Sequence, residues 1–85
     1  MNTFSLSITS PDGEVFSENV LRIIVRGIEG DLAVMAGHIP FVTTVKKGEC
    51  RVLLADETEK TGYADGGILA VSSEKVTFLS GSFHW

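Results

Sequence analysis

Cysteine is nearly missing from this sequence. Cys50 is the only one in 85 residues, so no internal disulfide can form, which suits a reducing compartment. With His38, His84 and scattered acids, it does not make the spaced ligand set that zinc requires. No metal or cofactor is therefore expected. Basic charge is also scarce. Seven Lys and Arg stand against eleven Asp and Glu, a net charge of −4, and Lys46-Lys47 is the only adjacent basic pair. A nucleic-acid backbone needs a concentrated basic patch, so no nucleic-acid partner is expected. No apolar run approaches the roughly 20 residues of a membrane helix, so direct membrane insertion is not expected either. The first residues lack a basic stretch followed by an apolar core, so neither a secretory signal nor a transit peptide is expected. A soluble chain, or one held on a membrane complex by other proteins, fits these absences. Proline appears only at Pro11 and Pro40, and no segment keeps a helical period.

What remains is alternation broken by turns. Phe4, Leu6 and Ile8 alternate with polar residues, the mark of a half-buried strand. Ser10-Pro11-Asp12-Gly13 is a turn, with proline presetting φ and glycine tolerating positive φ. Glu14 to Phe16 returns. Val20 to Arg26 is the next strand, with Leu21, Ile23 and Val25 on one face. Ile24, between Arg22 and Arg26, implies that the other face is not wholly solvated. Leu32 to Met35, Phe41 to Val45 and Glu49 to Leu54 follow, the last two parted by Lys46-Lys47-Gly48. Asp56 to Glu59 forms a hairpin tip, and Lys60 to Ala64 returns to an Asp65-Gly66-Gly67 turn. Ile68 to Val71 is continuously apolar and is expected to be covered on both faces. Lys75 to Leu79 ends the series. The pattern predicts an all-β fold, a sandwich or barrel of about ten short strands, one domain over residues 1–85. A domain this small buries only about 60% of its unfolded surface, so its core is thin.

Few residues offer chemistry. His38 is the candidate base by residue type, but a general base needs a partner and a pocket, and its neighbours Gly37 and Pro40 make a turn. Cys50 occupies an alternating strand position beside Val52, where a free cysteine serves as a small buried hydrophobe. Glu29 and Asp31 flank Gly30 on a loop with too few oxygen donors for calcium, but they can steer docking on a polar surface. Gly66-Gly67 is not followed by Lys-Ser or Lys-Thr and opens no helix, so it is not a phosphate cradle. Gly27 to Gly30 lies between strands and is not a dinucleotide fingerprint.

Gly27-Ile28-Glu29-Gly30-Asp31-Leu32-Ala33-Val34-Met35-Ala36-Gly37-His38-Ile39-Pro40 resembles the epsilon subunit of the F-type ATP synthase. The likeness continues through Thr43, Gly48, Gly66-Gly67-Ile68-Leu69-Ala70-Val71 and Val76-Thr77-Phe78-Leu79, nearly the whole chain. The resemblance implies a non-catalytic central-stalk subunit whose N-terminal domain is all-β, a flattened sandwich of two antiparallel sheets. Its partners would be the gamma subunit and the c-subunit ring. Its place would be the cytoplasmic face of a bacterial inner membrane, or a plastid thylakoid, as a peripheral part of the synthase. Glu29, Gly30 and Asp31 are the implied ring contacts. Ser10, Gly37, His38 and Thr43 are the implied gamma contacts. Ala36 and Lys47 stand where the family usually has proline, and Ala33 where glycine is common. The family usually continues into two C-terminal helices, whereas this sequence stops after Trp85. Two rivals stay open: a free-standing β-sandwich binding module, which requires an aromatic-lined groove, and a small hydrolase built on His38 with a distant acid or Cys50.

Overall fold

The computed structural model describes residues 2–85. These form strands and turns: β1 (Phe4–Ser10), β2 (Gly13–Gly27), β3 (Gly30–Met35), β4 (Phe41–Leu54), β5 (Glu59–Val71), β6 (Lys75–Ser80) and β7 (Phe83–His84). The all-β expectation holds. The count of about ten does not: seven strands are present among the described residues. Three pairs of expected short strands run on as single long ones. Glu14–Phe16 and Val20–Arg26 both belong to β2, the halves of Phe41–Leu54 to β4, and those of Glu59–Val71 to β5.

The reason lies in two misread glycine signals. Lys46-Lys47-Gly48 and Asp65-Gly66-Gly67 are not turns. They face each other inside one antiparallel ladder, with Val45 opposite Gly67 and Lys47 opposite Asp65. Gly66 has φ +82° and Gly67 +151°, so both occupy backbone that other residues resist. The glycines bend the ladder without ending it. Strand β2 bends too: its register slips between Val20 and Arg22, leaving Leu21 as a bulge.

The strand order is β1-β6-β5-β4-β2-β3, and β1 also pairs with β2, so the sheet closes on itself. Two layers result, because the long strands pass from one to the other at these bends. The first layer holds β1, β6, the N-terminal halves of β2 and β4, and the C-terminal half of β5. The second holds β3, β7 and the remaining halves. One pairing departs from the expected antiparallel scheme: β1 and β6 run parallel. They are far apart in sequence, and the four strands between them supply the crossover that a parallel pair needs.

Between the layers lies the core. Leu6, Ile8, Val20, Ile23, Val34, Val52, Leu69 and Phe78 are fully buried. Cys50 joins them as expected, and burial pushes its thiol up to about 12. The expected cover over both faces of Ile68–Val71 is not there, since Ile68 is 48% exposed. Strand β7 had no signal in the alternation. It rests on Gly62, where a Cβ would meet the Phe83 ring at 2.8 Å. The strap then carries Trp85 onto Phe16, ring centroids 5.5 Å apart, with Lys60 Nζ 4.3 Å from the Trp85 ring.

Candidate functional site

The β2–β3 hairpin ends in an acidic tip. Gly27 pairs with Gly30 across Ile28-Glu29. Each glycine has its own reason: Gly30 has φ +128°, while a Cβ on Gly27 would lie 2.9 Å from the Gly30 carbonyl oxygen. Asp31 pairs with Arg26 at 3.5 Å across the hairpin, and both are largely solvated. Such an exposed pair stabilises by about 0–1 kcal/mol. Glu29 makes no ion pair among the described residues. Beneath the tip lies an open hollow of about 550 Å³.

Thr43 lines that hollow. It belongs to the inner row of β4 with Phe41 and Val45, opposite the buried Leu69 of β5, and is half-buried. The structure thus brings Thr43 together with Glu29, Gly30 and Asp31, two groups that the sequence assigned to different partners. His38 and Gly37 lie in the exposed loop between β3 and β4, where Gly37 takes φ +85°. The His38 ring packs on Phe41 at 5.0 Å, and its Nδ1 lies 3.2 Å from the Ile39 carbonyl. Neither contact is the acid or nucleophile that a hydrolase would need beside it. Ser10 ends β1 at the first turn, across from Gly13.

A second surface was not legible as a site. In the first layer, Thr44, Ile68, Leu79 and Thr9 form one register line across β4, β5, β6 and β1. Val42, Ala70, Thr77 and Ser7 form the next. All eight point away from the core row, and none is charged. Val42 is 71% exposed, and Ile68 and Leu79 about half. Ser10 follows Thr9 at one end of this face, while Thr43 lies between Val42 and Thr44 at the other. A signal did exist: the outward positions of Phe41–Val45 are Val42 and Thr44, and those of Lys75–Leu79 carry Thr77 and Leu79 beyond the single charge of Lys75 at the strand's start.

On the second layer the outward residues are different. Arg22, Arg26 and Arg51, the only arginines of the chain, all lie there around the half-buried Ile24. The expectation for Ile24 therefore holds. Arg22 pairs with Glu59 at 3.8 Å and Arg51 with Glu49 at 3.4 Å.

The aromatic side chains form no common groove. Phe41 packs on His38, Tyr63 stacks on His84, and Trp85 meets Phe16 and Phe83. Among the described residues, no three His, Cys, Asp or Glu side chains converge as metal ligands would.

A closed β-sandwich with one ion-paired outer face, one outer face whose two central register lines are uncharged between Lys75 and Glu14, and an acidic tip is a docking module in class. Its family is specific. The chain belongs to the ATP synthase delta/epsilon chain β-sandwich domain family, whose model matches residues 3–85. It is similar to the "ATP synthase epsilon chain, sodium ion specific" of Acetobacterium woodii, at 36% identity over 83 residues, covering 98% of this chain and 62% of that one. The chain thus spans about three-fifths of the length of this relative. Its fold matches a chain of the Euglena gracilis mitochondrial ATP synthase in the OSCP/F1/c-ring structure. That match has a TM-score of 0.91 at 24% identity and covers 96% of this chain and 52% of that one. A chain of the Tetrahymena thermophila mitochondrial ATP synthase central stalk and c-ring matches with a TM-score of 0.81 at 12% identity, over 98% of this chain and 66% of that one. The expected resemblance and sandwich fold are both confirmed.

Proposed function

We propose that residues 1–85 form a single domain of a central-stalk subunit of an ATP synthase. It performs no bond chemistry and joins the gamma subunit to the c-subunit ring. Its place is the membrane-side foot of the stalk, on the cytoplasmic face of a bacterial inner membrane or the equivalent face of a thylakoid. The observation that carries this is the uncharged outer face of the first layer. Its exposed Val42, Ile68 and Leu79 lie on the strands that carry Ser10 and Thr43, two of the residues the family likeness assigns to gamma, although the Thr43 side chain belongs to the inner row.

The physics is simple. Fully burying a Val, Leu or Ile contributes about 1.5–3 kcal/mol, and these three are at most half-buried in the free chain. A partner that covers them gains about half of that from Ile68 and from Leu79 and most of it from Val42. Gly37 and His38 border the same contact through the loop that feeds Phe41 and Val42. The tip reaches the ring. Glu29 and Asp31 supply a negative field that orients the approach and fades over about 8 Å at physiological salt. Torque then crosses a close-packed core, which deforms little.

A capture experiment tests this. Ile68→Glu with Leu79→Glu removes gamma from the complex without lowering the melting temperature. Glu29→Lys with Asp31→Lys keeps gamma but reduces the ions moved per ATP hydrolysed. Gamma retained by the first variant, or full coupling in the second, contradicts the respective contact.

A further inference from the structure

The proposed gamma face and the proposed ring tip belong to different layers. Any force between them crosses a place where strands change layer. One such place is the bulge at Leu21. The other is the bend shared by β4 and β5 at Val45–Lys47 and Asp65–Gly67. This second crossing lies next to the tip, since a Cβ on Gly48 would touch the Arg26 side chain at 3.5 Å.

The bend is tied together by one hydroxyl. Ser80 is the one buried polar side chain among the described residues. Its Oγ donates to the carbonyl of Ser82 at 2.6 Å and to that of Gly66 at 3.0 Å, one proton shared between two acceptors. Gly81 N–H donates to the same Gly66 carbonyl at 3.3 Å, and Asp65 N–H donates to Ser82 at 3.0 Å. A Cβ on Gly67 would collide with the Leu79 carbonyl, so β5 and β6 approach here as only glycine allows. Strands β5 and β6 and the segment entering β7 therefore meet at one point, and among the described residues Ser80 is the one side chain that holds it by hydrogen bonds.

We infer that Ser80, with Gly66 and Gly67, is the joint that fixes the angle between the uncharged outer face and the hairpin tip. Ser80 is a positioning residue: it touches no partner and acts through the backbone it ties. The bond to Gly66 is buried and restrains geometry because that acceptor has no water to turn to, while the bond to Ser82 is partly buried. Removing the hydroxyl leaves the Gly66 carbonyl with only the longer bond from Gly81 N–H and the Ser82 carbonyl with only that from Asp65 N–H, so no side chain ties the two together. The mechanical role rests on the proposed function; the geometric role does not.

The test separates the two. Spin labels on Ala33→Cys, near the tip, and Thr44→Cys, on the outer face, report the angle as a distance distribution in the full-length chain. Cys50 is buried and stays unlabelled. Ser80→Ala is expected to broaden that distribution, and Gly67→Ala to shift its mean. Val76→Ala, in the core away from the bend, lowers the melting temperature without either change. An unaltered distribution in Ser80→Ala overturns the joint, and this variant still decides the matter if Gly67→Ala does not fold. In the assembled synthase, Ser80→Ala keeps gamma bound and lowers the ions moved per ATP, whereas Val76→Ala does not. Full coupling despite a broadened distribution overturns the mechanical role. Failure of the unsubstituted chain to hold gamma and the ring overturns the function and leaves the distance result standing.

Discussion

The two outer faces of this sandwich are made by the same long strands and have opposite characters. The second layer's face carries every arginine of the chain, each within 4 Å of a carboxylate. It satisfies itself. The first layer's face carries two register lines of Val, Thr, Ile, Ala, Leu and Ser with no charge among them. A strand face open to water alternates apolar-in with polar-out. Strands β4, β5 and β6 obey that rule inward and break it outward at Val42, Ile68 and Leu79. The difference teaches that exposure alone does not mark an interface; apolar exposure on neighbouring positions of three adjacent strands does.

The largest expected effect comes from beneath the uncharged face. Leu69, opposite both Thr43 and Phe78, is fully buried, and Leu69→Ala lowers folding stability by about 2–5 kcal/mol. A urea titration checks it, and a change under 1 kcal/mol would mean this part of the core is loose. Next comes the face itself. Leu79→Glu alone weakens gamma binding about 10- to 100-fold, the range for one interface anchor, with a stability change inside about 0.5 kcal/mol. Calorimetric titration reads the first and thermal melting the second. Arg51→Gln on the opposite face is the control. It removes the ion pair to Glu49, is worth about 0–1 kcal/mol, and leaves gamma binding unchanged.

Between these lies a pH effect. The Cys50 thiol is raised from 9.0 to about 12 by burial, so the fold holds the neutral form. Its contribution to stability is complete below pH 9 and is lost as pH rises from 9 toward 12. Cys50→Ala removes that part of the decline. The check is the slope of urea midpoint against pH in both proteins, and equal slopes would deny that the thiol is dry.

Local signals carried much of the fold. The Ser10–Gly13 turn, the Gly27–Gly30 hairpin and the β1 alternation were all legible, because each depends on a few adjacent residues. Glycine was ambiguous. Positive φ at Gly66 serves a bend inside a ladder as well as a turn, and the sequence does not tell one from the other. The parallel β1–β6 pair was invisible because it joins segments far apart in the chain. Strand β7 was invisible because two residues make no period, and its support is the space over Gly62. Of the site, the acidic tip could be drawn from Glu29, Gly30 and Asp31. The uncharged face could not, because Val42, Ile68 and Leu79 come together only through register.

Hydroxyl-radical footprinting of the native chain, with and without gamma, tests the central claim most directly. The account predicts that Val42, Ile68 and Leu79 lose reactivity when gamma is added, while Tyr63 and Met35 on the arginine face keep theirs. Protection of Tyr63 and Met35, with Ile68 and Leu79 still reactive, would contradict it.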